Sequence, residues 1–236
     1  MKELYLSNFW YFIVAAVVCY FIGCFNFAVL ISHFKKSDIR EKGSGNPGSM
    51  NMTRTFGLKI GALNFVCDMI KGGAPALAAY FLFKDYVFAG TEFCVSDFAR
   101  YFFGLFVIIG HIFPVTLKFK GGKGIASTMG LFVFALPCDT WWYFFIVALL
   151  LFGAFFYILF TSWGSMGSLI GVASVTVFQA VVFIIKYEND LLNGWLIAVL
   201  MILLMLNVLT WGAHNKNIYK LVAGEEHHTG KKKNRL

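Results

Sequence analysis

The segment from Asn8 to Ile31 reads NFWYFIVAAVVCYFIGCFNFAVLI and contains no charged residue. Because a helix needs about 20 mostly apolar residues to cross a bilayer, this segment is long enough to span one. It is too long for the apolar core of a signal peptide and lacks a clear small-residue cleavage site. We therefore interpret it as a retained membrane span.

The same apolar character extends through the whole 236-residue chain, which is 59% hydrophobic and only 14% charged, with a mean hydropathy of +0.72. Soluble globular chains carry about 25% charged residues. The composition therefore excludes an ordinary soluble protein. It predicts one all-α, multi-pass integral membrane domain over residues 1–236, with a basic tail from about residue 213.

Six further apolar runs follow the first one and give seven predicted crossings. They are Leu58–Phe83, Phe98–Leu117, Gly124–Leu136, Trp141–Phe160, Ser168–Ile185 and Gly194–Trp211. The run from Gly124 is short. An alternative with five full spans and re-entrant pieces would also place the two chain ends on opposite sides of the membrane. Since Leu58–Phe83 contains Asp68, Lys71 and Pro75, we expect that span to be broken or kinked.

The distribution of Lys and Arg predicts the orientation of the chain in the membrane. The larger set of cations lies in one group of loops and in the tail: Lys35, Lys36, Arg40, Lys42, Arg54, Lys59, Lys118, Lys120, Lys123, Lys216, Lys220, Lys231, Lys232, Lys233 and Arg235. The opposite loops hold Lys2, Lys84, Arg100 and Lys186. Cytoplasmic loops carry the excess of cations, so we place the first group in the cytoplasm and the N-terminus outside. The net charge of +8 then indicates contact with anionic lipid and not with nucleic acid.

The first predicted cytoplasmic loop, residues 43–54, reads GSGNPGSMNMTR. Its glycines allow backbone N–H groups to converge on one point, which is how an anion nest is built. Ser44, Asn46, Ser49 and Asn51 offer further polar groups, and Arg54 offers a guanidinium fork that suits phosphate. A plain polar turn between two helices is the alternative interpretation.

The second cytoplasmic loop, Lys118–Thr128, combines three lysines with three glycines at the start of a predicted helix. A helix N-terminus with a neighbouring lysine attracts phosphate. The glycine spacing differs from that of a P-loop, and no strand precedes it. The alternative is a basic loop that follows the positive-inside rule and binds no phosphate.

The third cytoplasmic segment begins at His214, where the polar tail starts. If this segment is helical, His214, Asn217 and Leu221 fall near one face. Elsewhere, Asp68 and Lys71 lie three residues apart within a span, and we favour a structural ion pair over direct catalysis. We expect His111 to lie below the second loop, because it precedes Pro114 by three residues. The predicted turn at residues 161–167 supplies Ser165.

Several predicted anion-binding devices therefore lie at one membrane face, without a metal-ligand cluster or a nucleophile–base pair. Such a site suits the transfer of an acyl group between a lipid-soluble and a phosphorylated molecule, which requires both to be held in register. A transporter for a phosphorylated metabolite is an alternative, but it would need polar groups at the bilayer midplane.

Three motifs, in order, resemble the bacterial membrane acyl-phosphate:glycerol-3-phosphate acyltransferases, and the resemblance covers nearly all of the chain. The first motif is Asp38-Ile39-Arg40 with residues 43–54. The second is Gly110-His111, Pro114 and residues 119–126. The third comprises His214, Asn217-Ile218, Leu221, Gly224 and Glu226, and Asp68 with Lys71-Gly72 also matches.

This resemblance implies that an acyl group passes from acyl phosphate to the sn-1 hydroxyl of glycerol 3-phosphate and gives lysophosphatidic acid. It implies seven spans, an active site that faces the cytoplasm of the bacterial inner membrane, and the use of neither acyl-CoA, metal nor cofactor. A soluble acyl carrier protein:phosphate acyltransferase would supply the acyl phosphate.

The resemblance also implies site residues. The catalytic set would be Ser44, Lys123 and His214. The substrate-binding set would be Gly45, Asn46, Gly48, Ser49, Asn51, Arg54, Gly121, Gly122, Gly124, Ser165 and Asn217. Ser44 and its loop would hold the acyl phosphate, and Arg54 and Lys123 would hold glycerol phosphate together with His214 and Asn217. The supporting residues would be Asp68, Lys71, His111 and Glu226.

Three departures from the family pattern stand out. Ser49-Met50 replaces the usual Ala-Thr, Ser127 precedes Thr128, and Lys220 stands where Arg is usual, which keeps the charge and loses the fork. A catalytically silent relative that only binds lipid is therefore a further alternative.

Overall fold

The computed structural model describes residues 1–224 and shows ten helices and two short strands within them. The strands are β1 (Lys2–Leu4) and β2 (Tyr86–Phe88). The helices are α1 (Trp10–Cys24), α2 (Phe27–Phe34), α3 (Ser49–Phe56), α4 (Leu58–Phe83), α5 (Val95–Ile112), α6 (Ile125–Ala135), α7 (Tyr143–Thr161), α8 (Gly164–Lys186), α9 (Gly194–Ala213) and α10 (Asn215–Val222).

The helical bundle confirms the predicted all-α integral membrane class. Within residues 1–224, six helical segments are long and apolar enough to cross a bilayer, and Ile125–Cys138 is a shorter apolar segment. This short segment corresponds to the run from Gly124 that is also short in the sequence. The small parallel pair that β1 and β2 form, with Lys2 opposite Tyr86, was not predicted.

The first apolar run lies in one candidate span, Leu6–Phe34, as expected, but this span consists of two helices. The helix α1 ends at Cys24, and Asn26 starts α2 by accepting a hydrogen bond from the backbone N–H of Val29 at 3.0 Å. An asparagine at this position satisfies one of the N–H groups that a new helix leaves unpaired. The Asn26 amide also donates to the Pro47 carbonyl, which ties the break to the first loop.

The span Leu58–Phe83 was expected to be broken or kinked; it is not broken, because α4 is one continuous helix with Pro75 inside it. Its glycines serve packing. A Cβ on Gly72 would lie 1.9 Å from the Ser127 carbonyl oxygen, and one on Gly130 would lie 2.0 Å from the Met69 carbonyl oxygen. Helices within a membrane approach closely where such small residues meet, so α4 and α6 lie backbone against backbone.

Helix α5 is the centre of the bundle, and it packs against α1, α4 and α9. The Arg100 side chain is fully buried at its start, where it pairs with Asp97 at 2.5 Å and with Asp139 at 2.7 Å. Lys186 joins the same network through Asp97 at 2.7 Å. Arg100 is therefore an internal structural charge. The prediction that it lies in a loop is wrong.

The connection between α7 and α8 is shorter than predicted. Helix α7 runs to Thr161 and α8 begins at Gly164, so the expected turn at residues 161–167 shrinks to Ser162 and Trp163. Ser162 takes a left-handed conformation with φ of 62°, which reverses the chain at once. Ser165 consequently lies in the first turn of α8 and not in a loop.

Hydrogen bonds define the two ends of the bundle. One end carries the β1–β2 pair and the Arg100 network. At the other end, the Tyr20 hydroxyl donates to the Phe113 carbonyl, and the Lys123 side chain donates to that of Asn217. We call this second end the motif end, because the second and third motifs meet there and the Asn26–Pro47 bond ties the first motif to the same end.

Candidate active site

A cluster of three side chains joins the second and third motifs at the motif end. The Lys123 ammonium donates to Asn217 Oδ1 at 2.6 Å, and Asn217 Nδ2 donates to Ser165 Oγ at 2.8 Å. Lys123, Asn217 and Ser165 come from three distant parts of the chain. We call them the Lys123 cluster.

Each member of the Lys123 cluster lies at the N-terminal end of a helix. Lys123 precedes α6 by two residues, Ser165 is in the first turn of α8, and Asn217 is in the first turn of α10. No side chain caps these three helix starts. Helix N-termini carry partial positive charge, so their meeting beside an ammonium group favours the binding of an anion such as phosphate.

His214 lies between α9 and α10 and is only 3% exposed. Its Nδ1 donates to the Thr210 carbonyl at 2.7 Å, which leaves Nε2 as an acceptor in the neutral ring. Burial, together with the charge of nearby Lys123, lowers the pKa of His214 to about 4. At neutral pH the ring is therefore uncharged and can accept a hydrogen bond from a hydroxyl group.

We predict that His214 makes stability fall as the pH is lowered from its usual pKa of 6.5 towards about 4. In this window the unfolded chain takes up a proton and the folded protein does not, so acid favours unfolding. Melting temperatures measured across the window should fall less in His214→Gln than in the wild type. Equal slopes for the two proteins would contradict the buried, neutral ring.

The second half of the predicted first loop is helix α3, and Asn51 of this helix is the structural centre of the loop. Its side-chain amide donates to the carbonyls of Ile39 at 3.2 Å and Lys42 at 2.9 Å, and its Oδ1 accepts from the Ser44 N–H at 3.0 Å. Asn51 is 1% exposed, so these bonds use the amide fully. We therefore expect Asn51 to shape the loop and not to contact a substrate.

The open donors of the first loop differ from those that the sequence indicated. The backbone N–H of Gly45 donates to the Lys42 carbonyl and that of Gly48 donates to Asn46. Ser44 remains exposed, and Asn46 is half-buried. Arg54 is also exposed, and it makes no hydrogen bond or ion pair within residues 1–224. Ser44 and Arg54 are thus accessible to a ligand.

In the second loop, the glycines serve a close approach to the end of α5. The N–H of Gly121 donates to the Ile112 carbonyl and that of Gly122 donates to the His111 carbonyl. A Cβ on Gly122 would lie 2.3 Å from His111 Nε2, so no side chain fits there. Gly124 has φ of +80°, which favours glycine at the start of α6. His111 thus supports this loop from below, as expected.

Asp68 and Lys71 form the expected ion pair at 3.1 Å, and both side chains are 3% exposed. Lys71 Nζ also donates to the Phe25 carbonyl at 2.8 Å and lies 2.9 Å from His111 Nδ1. The three donors of the ammonium are therefore used. The pair connects α4 with the α1–α2 break and with the end of α5.

We predict that Asp68→Asn lowers the melting temperature and the folded yield more than it lowers turnover per folded molecule. Removing one partner of a buried ion pair costs about 3–5 kcal/mol because it leaves the other charge uncompensated. Asp85→Asn, at an exposed aspartate near the other end, is the matched control. Stable Asp68→Asn protein without activity would instead place Asp68 in the reaction.

The structure thus brings Lys123, Asn217, Ser165 and His214 together, and it gives Asp68, Lys71 and His111 their expected supporting contacts. No direct bond joins Ser44 or Arg54 to the Lys123 cluster among the described residues. Glu226 lies outside the described residues. The sequence analysis missed Asn64 and Thr210, because a lone amide or hydroxyl within an apolar run carries no motif signal.

Comparison with known proteins shows the family to which the chain belongs. Residues 13–224 match the model of the family described as glycerol-3-phosphate acyltransferase. The glycerol-3-phosphate acyltransferase of Finegoldia magna is 36% identical over 95% of this chain and 99% of its own length. That of Mycoplasmopsis pulmonis is 33% identical over 88% of both chains.

Two solved structures share the fold. The crystal structure of PlsY (YgiH), an integral membrane glycerol 3-phosphate acyltransferase, in its glycerol 3-phosphate form has a TM-score of 0.73 and 29% identity, covering 93% of this chain and 96% of that one. The lysophosphatidic acid form has a TM-score of 0.70 at 27% identity, with the same coverage. The chain therefore belongs to the glycerol-3-phosphate acyltransferase family of integral membrane acyltransferases.

Proposed function

We propose that the protein transfers an acyl group from acyl phosphate to the sn-1 hydroxyl of glycerol 3-phosphate, giving lysophosphatidic acid and phosphate. The observation that carries the proposal is the Lys123 cluster, where an ammonium and three helix N-termini meet at one end of the bundle. The names of the related structures, a glycerol 3-phosphate form and a lysophosphatidic acid form, support the same acceptor and product.

In this proposal the phosphate of glycerol 3-phosphate binds at the Lys123 cluster, with Arg54 as a second cation. The neutral His214 ring accepts a hydrogen bond from a glycerol hydroxyl through Nε2, because Nδ1 is already committed to Thr210. This differs from a role as a charged phosphate ligand, which would need a protonated ring. Ser44 and its loop hold the acyl phosphate.

The chemical step needs little acid or base from the protein. The sn-1 oxygen forms a bond to the acyl carbon, and the bond from that carbon to the phosphate oxygen breaks. Phosphate is a good leaving group, and its oxygen takes the hydroxyl proton. The main contribution of the chain is then to hold the two molecules in register and to stabilise the developing negative charge.

We further propose that the motif end faces the cytoplasm of a bacterial plasma membrane. Most cations of the described residues lie at that end, which agrees with the positive-inside rule. They are found before α3 (Lys35, Lys36, Arg40 and Lys42), in α3 and the start of α4 (Arg54 and Lys59), before α6 (Lys118, Lys120 and Lys123) and in α10 (Lys216 and Lys220). A soluble acyl carrier protein:phosphate acyltransferase would then deliver acyl phosphate to the membrane surface. Labelling single cysteines at residues 50 and 120 from each side of sealed vesicles tests this placement.

An assay of the purified protein with acyl phosphate and glycerol 3-phosphate, without acyl-CoA, tests the proposed reaction. We expect lysophosphatidic acid and one phosphate per product molecule. A folded protein that binds glycerol 3-phosphate and forms no product would indicate a silent relative. Uptake of glycerol 3-phosphate into vesicles without product would indicate the transporter alternative.

A further inference from the structure

A buried chain of polar side chains connects the first loop to the second. Ser49, in the first turn of α3, accepts a hydrogen bond from Asn64 Nδ2 at 2.9 Å. The same amide nitrogen donates to Asp68 Oδ2 at 3.0 Å. Asp68 pairs with Lys71, and Lys71 reaches His111 at 2.9 Å.

The chain ends directly beneath the second loop. The His111 ring lies against Gly122, and the His111 carbonyl accepts the Gly122 N–H at 3.1 Å. Because the Lys71 ammonium can only donate, Nδ1 of His111 must accept, which places the ring proton on Nε2 beside Gly122. The two loops that carry Ser44 and Lys123 thus share one continuous internal support.

The orientation of the Asn64 amide follows from its partners. A carboxylate only accepts hydrogen bonds, so the nitrogen and not the oxygen of Asn64 must face Asp68. Asn64 is 0% exposed and its Oδ1 has no hydrogen-bond partner within residues 1–224. A buried amide with one unsatisfied atom is costly within an apolar helix, so the contribution of Asn64 lies in its bonds to Ser49 and Asp68 and not in the stability of α4 alone.

Each loop is also folded by its own bonds. Asn51 holds the first loop through three backbone groups, and the carbonyls at the end of α5 hold the second. The Ser49–Asn64 bond is needed for neither of these local arrangements. Its effect is on the position of one loop relative to the other.

We propose that Asn64 is a positioning residue, which keeps the first and second loops in register through the buried chain Ser49–Asn64–Asp68–Lys71–His111. The inference rests on the proposed function, because register matters when two substrates must react. A shift of about 1 Å between reacting groups can lower the rate roughly a hundredfold. Loss of register therefore affects kcat, while each loop still binds its own substrate.

The first test is the kinetics of Asn64→Leu, with the purified folded fraction as the enzyme. We expect kcat to fall about tenfold or more and both KM values to stay within about twofold, because the local anion sites remain. Asn207→Leu is the matched control, since Asn207 lies in α9 and donates only to the Leu203 carbonyl of its own helix. Unchanged kcat in folded Asn64→Leu, or a raised KM alone, would overturn the proposal.

A double-mutant cycle with Ser49→Ala identifies the bond through which Asn64 acts. If Asn64 acts through this hydrogen bond, the kcat of the double variant equals that of the less active single variant, because the second substitution removes no further interaction. Ser49→Ala also carries the test if Asn64→Leu does not fold. Multiplicative effects on kcat, or a KM effect of Ser49→Ala in both backgrounds, would mean that Ser49 contacts substrate directly.

The spacing of the loops can be measured without activity. Spin labels at Met50→Cys and Lys120→Cys, both exposed positions, report the loop-to-loop distance after the five native cysteines are replaced. We expect Asn64→Leu to shift or broaden this distance and Asn207→Leu to leave it unchanged. A wild type that forms no product while the distance still responds to Asn64→Leu would refute only the proposed function. An active wild type with no response would refute the positioning role.

Discussion

Lys123→Ala should lower kcat/KM for glycerol 3-phosphate about a hundredfold, which makes it the most damaging of the substitutions considered. The ammonium is the cation of the Lys123 cluster, and it lies where three helix N-termini meet. Its removal leaves the charge of a bound phosphate without a partner and also frees Asn217 Oδ1. A hydrogen bond to a charged group contributes about 1.5–3 kcal/mol, and each 1.4 kcal/mol is a factor of ten.

Steady-state kinetics with glycerol 3-phosphate as the varied substrate measure this effect. Lys120→Ala is the matched control, because Lys120 is an exposed lysine of the same loop. We expect it to stay within about threefold of the wild type, since an exposed charge contributes little. Equal effects of the two substitutions would show that the loop acts only through its overall charge.

Arg54→Ala should lower kcat/KM for glycerol 3-phosphate about thirtyfold while leaving the melting temperature unchanged, because a guanidinium can hold a phosphate through two parallel bonds. In the free protein Arg54 is exposed and forms no ion pair among the described residues, so the fold does not depend on it. Arg54→Lys should recover only part of the loss, since lysine keeps the charge and lacks the fork.

Lys59→Ala controls for the general charge of this region, because Lys59 is exposed at the start of the next helix, α4. Binding of glycerol 3-phosphate by calorimetry should weaken in Arg54→Ala and not in Lys59→Ala. Normal binding and kinetics in Arg54→Ala would remove this residue from the proposed site and leave the Lys123 cluster as the phosphate site.

Several features of the site followed from the sequence for physical reasons that act locally. Lys123 and its glycines precede an apolar helical run, so a cation at a helix N-terminus could be expected from the order of residues alone. Asp68 and Lys71 are three residues apart within an apolar helix, and neither charge is tolerable there unless it is paired. Both expectations are confirmed by the contacts observed.

Other features depended on partners that are distant in the chain. Asn51 could be recognised as polar, but its three backbone partners are fixed only when residues 39–44 fold over α3. Asp68, Lys71, Pro75 and the glycines of α4 indicated a broken or kinked span. In the structure the glycines of α4 instead form a packing surface, because Gly72 lies against the backbone of Ser127 in α6.

The sequence by itself determined that this is a membrane-embedded helical bundle, because uncharged runs of this length can satisfy their backbone groups in lipid only as helices. It also determined which polar segments face the same side, since cations are retained on one side of the bilayer. The tertiary structure alone decided that Ser165 and Asn217 meet Lys123, and that Asn64 links the first loop to His111. These contacts depend on the angles and distances between helices, which are set by close packing and not by any local pattern of residues.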